Sequence, residues 1–295
     1  IIFILALIFV SFQVYSYDKS NVVHCIGNSH IDTAWLWPKT ETQDMIIPDT
    51  YDRALSVMNT YSDYRFSVPD MIHYKWTKEL YPTRYSSITT RIGQDKWELV
   101  GGMTVEPDTN VTGGESHVRQ FLYGKRYFME EFGQDIKICF LPDCFGFTYS
   151  WPQILAKSGI DMWVTSKLTW NDTNQFHRGP FMWKGADGTE MPSYNLTHNY
   201  TAGAGESTLR STLDSVAACG LTESLHLYGS GDHGGGPTTT DVSNIHSANS
   251  NSEFTAECDT VLNYYNNYLV NHLAELKVID DELYLETHRG VYTSQ

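Results

Sequence analysis

The segment Val22–Pro38 (VVHCIGNSHIDTAWLWP) decides the fold class, because a short apolar run, Val22–Ile26, leads directly into the polar and aromatic turn Gly27–Pro38. An apolar run of this length, bounded by turn residues, predicts a buried strand. A longer amphipathic stretch follows, as expected of a helix. The segment therefore predicts the first unit of a fold in which strands and helices alternate.

The same succession recurs along the chain. The further apolar runs, which predict strands, are Trp97–Val100, Ile136–Leu141, Met162–Thr165 and Leu225–Tyr228, and the helix-like stretches are Glu115–Phe132 and Pro152–Gly159. The polar segment Ser243–Ser252 predicts a surface loop. Alternating strands and helices predict parallel βαβ units, and 295 residues suffice for one α/β barrel or a doubly wound sheet. In such folds the reactive side chains lie in loops at the carboxyl ends of strands.

Composition excludes several classes of partner. With 41% apolar and 19% charged residues, the chain can bury a substantial core. The formal net charge of -15 argues against nucleic acid or an anionic membrane as a partner, since both require clustered Lys and Arg. A neutral ligand such as a glycan fits this balance.

The first residues have the pattern of an export signal. Ile1–Val10 is almost wholly apolar, and Ser11–Ser16 ends at the spacing of a signal-peptidase cleavage site. We expect residues 1–16 to be part of a signal peptide, 17–21 to be a short linker, and the mature protein to be in the secretory pathway without a membrane anchor, either lysosomal or extracellular. A buried strand or the end of a membrane anchor are the alternatives for the apolar run.

Two further patterns bear on the compartment. The five cysteines contain no CxxC pair, and their odd number leaves one thiol free or paired with a partner outside this sequence. Asn-x-Ser/Thr triplets, which are potential glycosylation sites, begin at Asn110, Asn171, Asn195 and Asn199. Together with the leader they favour the secretory pathway.

His30 and Asp32 follow the first predicted strand, in GNSHIDTAWLWP. In an extended segment, residues i and i+2 point to the same side, so the imidazole and the carboxylate can hold one ion. A nitrogen donor with an oxygen donor suits Zn²⁺. A hydrogen-bonded turn is the alternative for such a pair taken alone.

Two further aspartates follow predicted strands. Asp143, in FLPDCFGFTYS, is a candidate metal ligand or nucleophile; a helix cap is disfavoured because the next helix begins several residues later. Asp232 lies in the loop LYGSGDHGGGPT, which lacks the GK[ST] and GxGxxG spacings of nucleotide-binding loops. Its carboxyl group is either an acid/base or an exposed group on a flexible turn.

Aromatic and charged residues flank these acids. Trp35, Trp37 and Phe145 could stack on the C–H face of a sugar ring, although a tryptophan in a large enzyme more often belongs to the core. Lys167 could hold the charge of a carboxylate or a sugar hydroxyl, or lie in a solvated loop. Glu106 could orient a ligand or merely form a salt bridge.

In their order along the chain, five segments resemble the α-mannosidases of glycoside hydrolase family 38, over nearly all of residues 21–295. These segments are HIDTAWLWP, GGMTVEPD, PDCFG with WPQILAKSGI, LYGSGDHGGGPT and ELYLETHRGVYTSQ. The resemblance implies a seven-stranded α/β barrel over residues 22–295, incomplete at its C-terminus, without the helical and β-rich domains that follow in the family.

The resemblance also implies one zinc ion, bound by His30, Asp32 and Asp143, with a fourth ligand, a histidine, beyond residue 295. Trp35 and Phe145 are then expected to contact the bound mannose. The implied substrates are mannose-containing oligosaccharides or glycoprotein glycans. The 295-residue chain alone is expected to be poorly active, since it lacks one zinc ligand.

In the implied mechanism Asp143 is the catalytic nucleophile, Lys167 lies near it, and Asp232 is the general acid/base of a retaining, double-displacement hydrolysis. His233 departs from the family pattern, where close relatives often have glycine. Two alternatives stay open: a zinc-dependent carbohydrate deacetylase, which would release acetate, and a catalytically silent mannose-binding protein.

Overall fold

The computed structural model describes residues 15–231 and 233–286. Most of the predicted signal segment lies outside the described residues, as do Asp232 and the end of ELYLETHRGVYTSQ. Tyr17, in the predicted linker 17–21, is buried against the core. In the described part of the chain, no helix has the length and apolar character needed to cross a lipid bilayer.

The described residues form two five-stranded sheets and one two-stranded sheet. The strands are β1 (Val22–Asn28), β2 (Phe66–Val68), β3 (Trp97–Leu99), β4 (Ile138–Phe140), β5 (Gly146–Phe147), β6 (Met162–Thr165), β7 (Gly179–Lys184), β8 (Glu190–Asn195), β9 (Glu223–Tyr228), β10 (Thr255–Cys258), β11 (Val278–Ile279) and β12 (Leu283–Tyr284). The strands predicted from apolar runs are confirmed, with small differences at their ends. The short strand β2 and the more polar strand β8 lack a long apolar run and were not predicted.

β1 is the central strand of the first sheet, with β9 along one side and β10 and β2 along the other. Val22–Gly27 pairs with Glu223–Tyr228, and Val22–Cys25 pairs with Thr255–Cys258. The end of β1 then pairs with β2, and β2 pairs with β3. All these pairs are parallel, so the carboxyl ends of β9, β1, β2 and β3 share one edge.

The second sheet has the order β11-β7-β8-β6-β4. β4, β6 and β8 are parallel, and β7 is antiparallel to β8. The amide of Gly101, just after β3, donates to the carbonyl of Ile138 in β4 at 2.9 Å, which links the edges of the two sheets. The predicted α/β fold with parallel strands is confirmed.

Helices lie between most of the strands. They are α1 (Lys39–Glu41), α2 (Ile47–Thr60), α3 (Met71–Leu80), α4 (Pro82–Ile92), α5 (Gly114–Phe132), α6 (Trp151–Lys157), α7 (Glu206–Ala217), α8 (Thr239–Asn251) and α9 (Val261–Asn267), with a π-helical turn over Thr42–Ile46 and 3₁₀ turns over Lys167–Thr169, Leu269–Asn271 and Leu273–Glu275. The helices predicted after β3 and β4 are α5 and α6. Because α6 begins at Trp151, Asp143 does not cap it.

The prediction of a surface loop over Ser243–Ser252 is wrong, because most of this segment belongs to α8. A capping box starts the helix: the Thr238 hydroxyl accepts from the amide of Asp241, and the Asp241 carboxylate accepts from the amide of Thr238. The helix then buries three apolar side chains at three-residue spacing, Val242, Ile245 and Ala248. The cap and the apolar face outweigh the low helix propensity of Ser and Asn.

The four asparagines of the potential glycosylation sites differ in burial. Asn110 is exposed before α5, and Asn199 is partly exposed. Asn195 is fully buried and donates from Nδ2 to the carbonyl of His177 at 2.8 Å. Asn171 is also buried and donates to a backbone carbonyl. Because a glycan requires a side chain on the surface, Asn110 and Asn199 suit this role better than Asn171 and Asn195.

Candidate functional site

His30 is the centre of a cluster of polar side chains at the carboxyl ends of β1, β2 and β3. Its Nε2 lies 3.2 Å from Oδ1 of Asp32, and its Nδ1 lies 3.3 Å from Oε1 of Glu106. The side chains of His30 and Glu106 are 4% and 11% exposed, whereas that of Asp32 is 29% exposed. The cluster therefore meets solvent on the side of Asp32.

The surrounding carboxylates control the charge of His30. Burial by itself favours the neutral ring, but Glu106 and Asp32 raise the pKa of His30 well above its ordinary value. Burial also raises the pKa of Glu106; His30 opposes this rise, and the charges of Asp143 and Asp32 add to it. Since several carboxylates surround one imidazole, the cluster favours a cation.

Asp70 belongs to the same cluster, although the sequence did not single it out. It follows β2 and has φ 70° and ψ 94°, in a region that residues with a Cβ rarely adopt. Its side chain is buried, and Oδ1 has no hydrogen-bond partner among the described residues. Burial, followed by the charge of Glu106, raises the pKa of Asp70 well above its ordinary value. Strained, buried carboxyl groups of this kind concentrate at functional sites.

His73, at the start of α3, was also missed. Its Nε2 lies 3.1 Å from the Thr33 hydroxyl, and its Nδ1 has no hydrogen-bond partner in the described part of the chain. Burial, with a further effect from His30, lowers the pKa of His73 to about 3. The ring is therefore neutral at physiological pH. Because β2 lacks a long apolar run, no signal in the sequence marked either residue as part of the site.

Asp143 and Lys167 form an ion pair at the carboxyl ends of β4 and β6. The Lys167 ammonium donates to Oδ1 of Asp143, and its side chain is only 3% exposed. The same ammonium lies 4.2 Å from the ring centroid of Phe145 and 3.5 Å from that of Trp170. Three residues predicted for the site are thus brought together, and Trp170 joins them. A carboxylate and two aromatic faces hold the ammonium in place.

The zinc ion that the resemblance implies requires donors close to one another. Nε2 of His30 and Oδ1 of Asp32, 3.2 Å apart, have nearly the separation of two ligands on tetrahedral zinc, about 3.3 Å. The carboxylate of Asp143 does not complete a group of donors that all lie within 4.8 Å of one another. His30 and Asp32 therefore fit the metal as they stand. Asp143 would have to move closer to both residues to share one ion with them.

The glycine-rich loop after β9 lies against the segment that carries His30. Ile31 and His233 form an antiparallel bridge. A Cβ on Gly231 would come within 2.3 Å of the Tyr200 ring, so that a larger residue does not fit there. Asp232 lies outside the described residues, and its role as acid/base stays a prediction. Its two neighbours in sequence nevertheless lie beside the loop that holds the cluster.

Trp35 and Trp37 occupy different positions in the loop after β1. Trp37 stacks on His233, with ring centroids 3.8 Å apart, and donates from Nε1 to the Thr42 hydroxyl at 2.9 Å. Trp35 is 61% exposed, and the edge of its ring contacts Trp37. Trp37 therefore holds two loops together, whereas Trp35 presents an aromatic face to solvent that a ligand could cover.

Comparisons with known proteins show the family of this chain. The family described as "Glycosyl hydrolases family 38 N-terminal domain" matches residues 20–282. An alpha-mannosidase of Saccharomyces cerevisiae is 38% identical over 97% of this chain and 28% of its own length. Alpha-mannosidase G of Dictyostelium discoideum is 34% identical over 96% of this chain and 26% of its own length.

Among solved structures, the crystal structure of an alpha-mannosidase from Enterococcus faecalis V583 has a TM-score of 0.75 and 17% sequence identity, covering 89% of this chain and 31% of that one. At this identity the likeness concerns the fold alone. This chain spans only about a quarter of the length of the curated relatives it matches, 28% and 26% for the two above.

Proposed function

We propose, because this chain belongs to glycosyl hydrolase family 38, that the complete protein is a zinc-dependent, retaining α-mannosidase. Its substrates are terminal α-mannosides of oligosaccharides or glycoprotein glycans. The observation that carries the proposal is the contact of His30 with Asp32, at 3.2 Å. Asp143 lies near this cluster, since its charge raises the pKa of Glu106. Retaining hydrolysis requires a carboxylate nucleophile and a second carboxyl group as acid/base. His30 and Asp32 add two donors for the metal.

The two sheets are proposed to be parts of one seven-stranded barrel, with β9, β1, β2 and β3 from the first sheet and β4, β6 and β8 from the second. The hydrogen bond from Gly101 to Ile138 supports this arrangement, because it links β3 to β4. The barrel domain is proposed to occupy residues 22–295, followed by helical and β-rich domains. The active site then lies at the mouth formed by the strand ends.

The zinc ligands in this proposal are His30, Asp32 and Asp143, with a fourth beyond residue 295. Zinc, when bound, acts as a Lewis acid toward the 2- and 3-hydroxyls of mannose, and the axial 2-hydroxyl distinguishes this sugar from glucose. Glu106 accepts a hydrogen bond from Nδ1 of His30. With zinc bound, that contact would favour the tautomer with the proton on Nδ1, which leaves the lone pair of Nε2 for the ion.

Catalysis proceeds in two displacements. The Asp143 carboxylate forms a bond to the anomeric carbon while the glycosidic C–O bond breaks, and Asp232 gives its proton to the departing oxygen. Asp232 then takes a proton from water, whose oxygen displaces the Asp143 ester. Lys167 pairs with Asp143 and balances its charge between turnovers. Trp35 and Phe145 contact the mannose ring.

The proposed compartment is the secretory pathway, either lysosomal or extracellular. It is supported by the apolar start Ile1–Val10 and by the exposed triplet at Asn110.

The experiment is an assay of the complete protein on an aryl α-mannoside, before and after chelation and after zinc add-back. We expect activity to be lost on chelation and restored by zinc. Asp143→Asn should abolish turnover and weaken zinc binding, while Asp281→Asn, a matched change at an exposed side chain, should have no effect. Wild-type turnover by Asp143→Asn would refute the assignment of the nucleophile, and acetate release without sugar cleavage would favour the deacetylase.

A further inference from the structure

A second cluster of metal-binding side chains surrounds His24, far from His30. His24 is in the first half of β1, and His30 follows the end of that strand, six positions further along the chain. Six positions of extended chain correspond to about 20 Å. The in-register partners of His24 are Leu225 in β9 and Glu257 in β10. Side chains in register on parallel strands share a face, and so do residues two apart. Glu223 and Asp259 therefore lie on the same face as His24.

The distances show that both ring nitrogens of His24 face carboxylates. Nδ1 lies 2.8 Å from Oδ2 of Asp259 and 3.6 Å from Oε1 of Glu257. Nε2 lies 2.7 Å from Oε2 of Glu223. Single donor atoms of His24, Glu257 and Asp259 all lie within 4.8 Å of one another. One ring nitrogen thus belongs to a group of three donors, and the other is held by a separate carboxylate.

The cluster carries more negative charge than its imidazole can balance. Three carboxylates contact one ring, and among the described residues no Lys or Arg nitrogen lies within 4.0 Å of any of them. Tyr264 packs edge-on against His24, with ring centroids 5.2 Å apart, and its buried hydroxyl has no hydrogen-bond partner in the described part of the chain. Even with a protonated ring, two negative charges are left around the buried imidazole, which favours a cation.

We propose that this cluster is a second divalent-cation site of the zinc class, with Nδ1 of His24, Oδ2 of Asp259 and Oε1 of Glu257 as ligands. Glu223 accepts the hydrogen bond from Nε2–H, and this contact fixes the tautomer that leaves the lone pair on Nδ1 for the ion. Asn263 donates to the other oxygen of Asp259 at 2.8 Å and so orients that ligand. The site is separate from the proposed active site and does not depend on the α-mannosidase assignment.

The observed separations are compatible with this ion after small movements. Donor atoms on tetrahedral zinc are about 3.3 Å apart. The separations of 2.8 and 3.6 Å from Nδ1 lie on either side of that value, so that each carboxylate has to move by only about half an ångström. The Glu257 side chain is 52% exposed, which leaves an open side for entry and for a water ligand. A proton on Nδ1 competes with the ion, so binding should strengthen as pH rises and release a proton.

The test measures zinc bound per chain in the complete protein, by equilibrium dialysis against Zn²⁺ and elemental analysis. We expect His24→Gln to lose one zinc per chain, both in the wild-type background and in an Asp32→Asn background, where the proposed active-site ion is weakened. If the active site bound no zinc, the wild type would still bind one zinc ion per chain more than His24→Gln. The two proposals therefore fail independently.

Because His24 is buried, its replacement could also affect folding. Variants that retain His24 therefore distinguish an effect on metal binding from an effect on folding. Glu257→Gln should weaken zinc binding at this site at least tenfold, and Glu223→Gln about 10–100-fold. Glu253→Gln, a matched change at a side chain that is 71% exposed, should bind zinc as the wild type does. Activity of the complete protein on an aryl α-mannoside should be unchanged in Glu257→Gln. Equal zinc content and affinity in wild type, His24→Gln and Glu257→Gln would overturn the proposal and leave the cluster as an ion pair only.

Discussion

Nδ1 of His30 lies 3.3 Å from Oε1 of Glu106, so the ring is held from the side opposite to Asp32. His30 follows β1 and Glu106 follows β3, and the two strands are separated by β2. The contact therefore joins segments that are distant in sequence. Since the two contacts fix the ring from both sides, Glu106 determines how His30 presents its other nitrogen.

Replacing Glu106 with glutamine should weaken zinc binding without unfolding the protein. Glutamine keeps the size of the side chain and an acceptor oxygen but loses the charge that raises the basicity of His30. We expect zinc affinity to fall by about 10–100-fold, as measured by competition with a chelator. Glu115→Gln, at a side chain that is 73% exposed on α5, is the control. Unchanged affinity in Glu106→Gln would show that the contact does not orient the ligand.

Replacing Lys167 with methionine should destabilise the protein far more than the same change at Lys184. Lys167 and Asp143 have side chains that are 3% and 15% exposed, so that the change leaves a buried carboxylate without its partner. The expected loss in the free energy of unfolding is about 3–5 kcal/mol. The Lys184–Asp280 pair is 39% and 45% exposed, and its loss should cost about 0–1 kcal/mol. Urea unfolding measures both changes, and equal losses would contradict the prediction.

The backbone at Asp70 should prefer glycine to alanine. Its φ of 70° is costly for a residue with a Cβ and costs glycine almost nothing. We expect Asp70→Gly to be more stable than Asp70→Ala by about 1 kcal/mol in thermal or urea unfolding. Asp187, whose φ is not positive, should show the opposite order, because glycine gains more freedom in the unfolded chain. The same order at both positions would mean that Asp70 is not strained.

Acid should destabilise the protein through His226 in β9. Burial, with a smaller effect from His198, lowers the pKa of His226 to about 4, against about 6.5 in the unfolded chain. Between these values the unfolded state binds a proton that the folded state does not, so stability is highest above pH 6.5 and falls as the pH drops to 4. The expected loss from this one group is about 3 kcal/mol.

The variant His226→Asn separates this effect from other titrating groups. It removes the titrating ring, so the variant should lose about 3 kcal/mol less than the wild type when the pH falls from 7 to 4. The measurement is the free energy of unfolding at several pH values. Parallel pH curves for the two proteins would rule out His226 as the source.

Much of the fold could be predicted because it depends on local patterns. Val22–Ile26 and Met162–Thr165 are apolar runs, and such runs form buried strands whatever lies far away in the chain. The segment Ser243–Ser252 was wrongly predicted to be a loop because its composition is polar. Its cap at Thr238 and its regularly spaced apolar residues make it a helix. Asp70 and His73 could not be predicted, because nothing near them in sequence shows that they are buried beside His30.

The sequence by itself determined the family and the alternation of strands and helices. It also determined the pairing of His30 with Asp32, because two residues in one extended segment share a face. Only the tertiary structure decided that Glu106 and Asp70 complete this cluster, that Trp170 joins Phe145 around the Lys167 ammonium, and that three carboxylates from β9 and the end of β10 surround His24. The physical reason is that parallel strands bring together residues far apart in sequence, and side-chain contacts between strand ends leave no periodic signal in the chain.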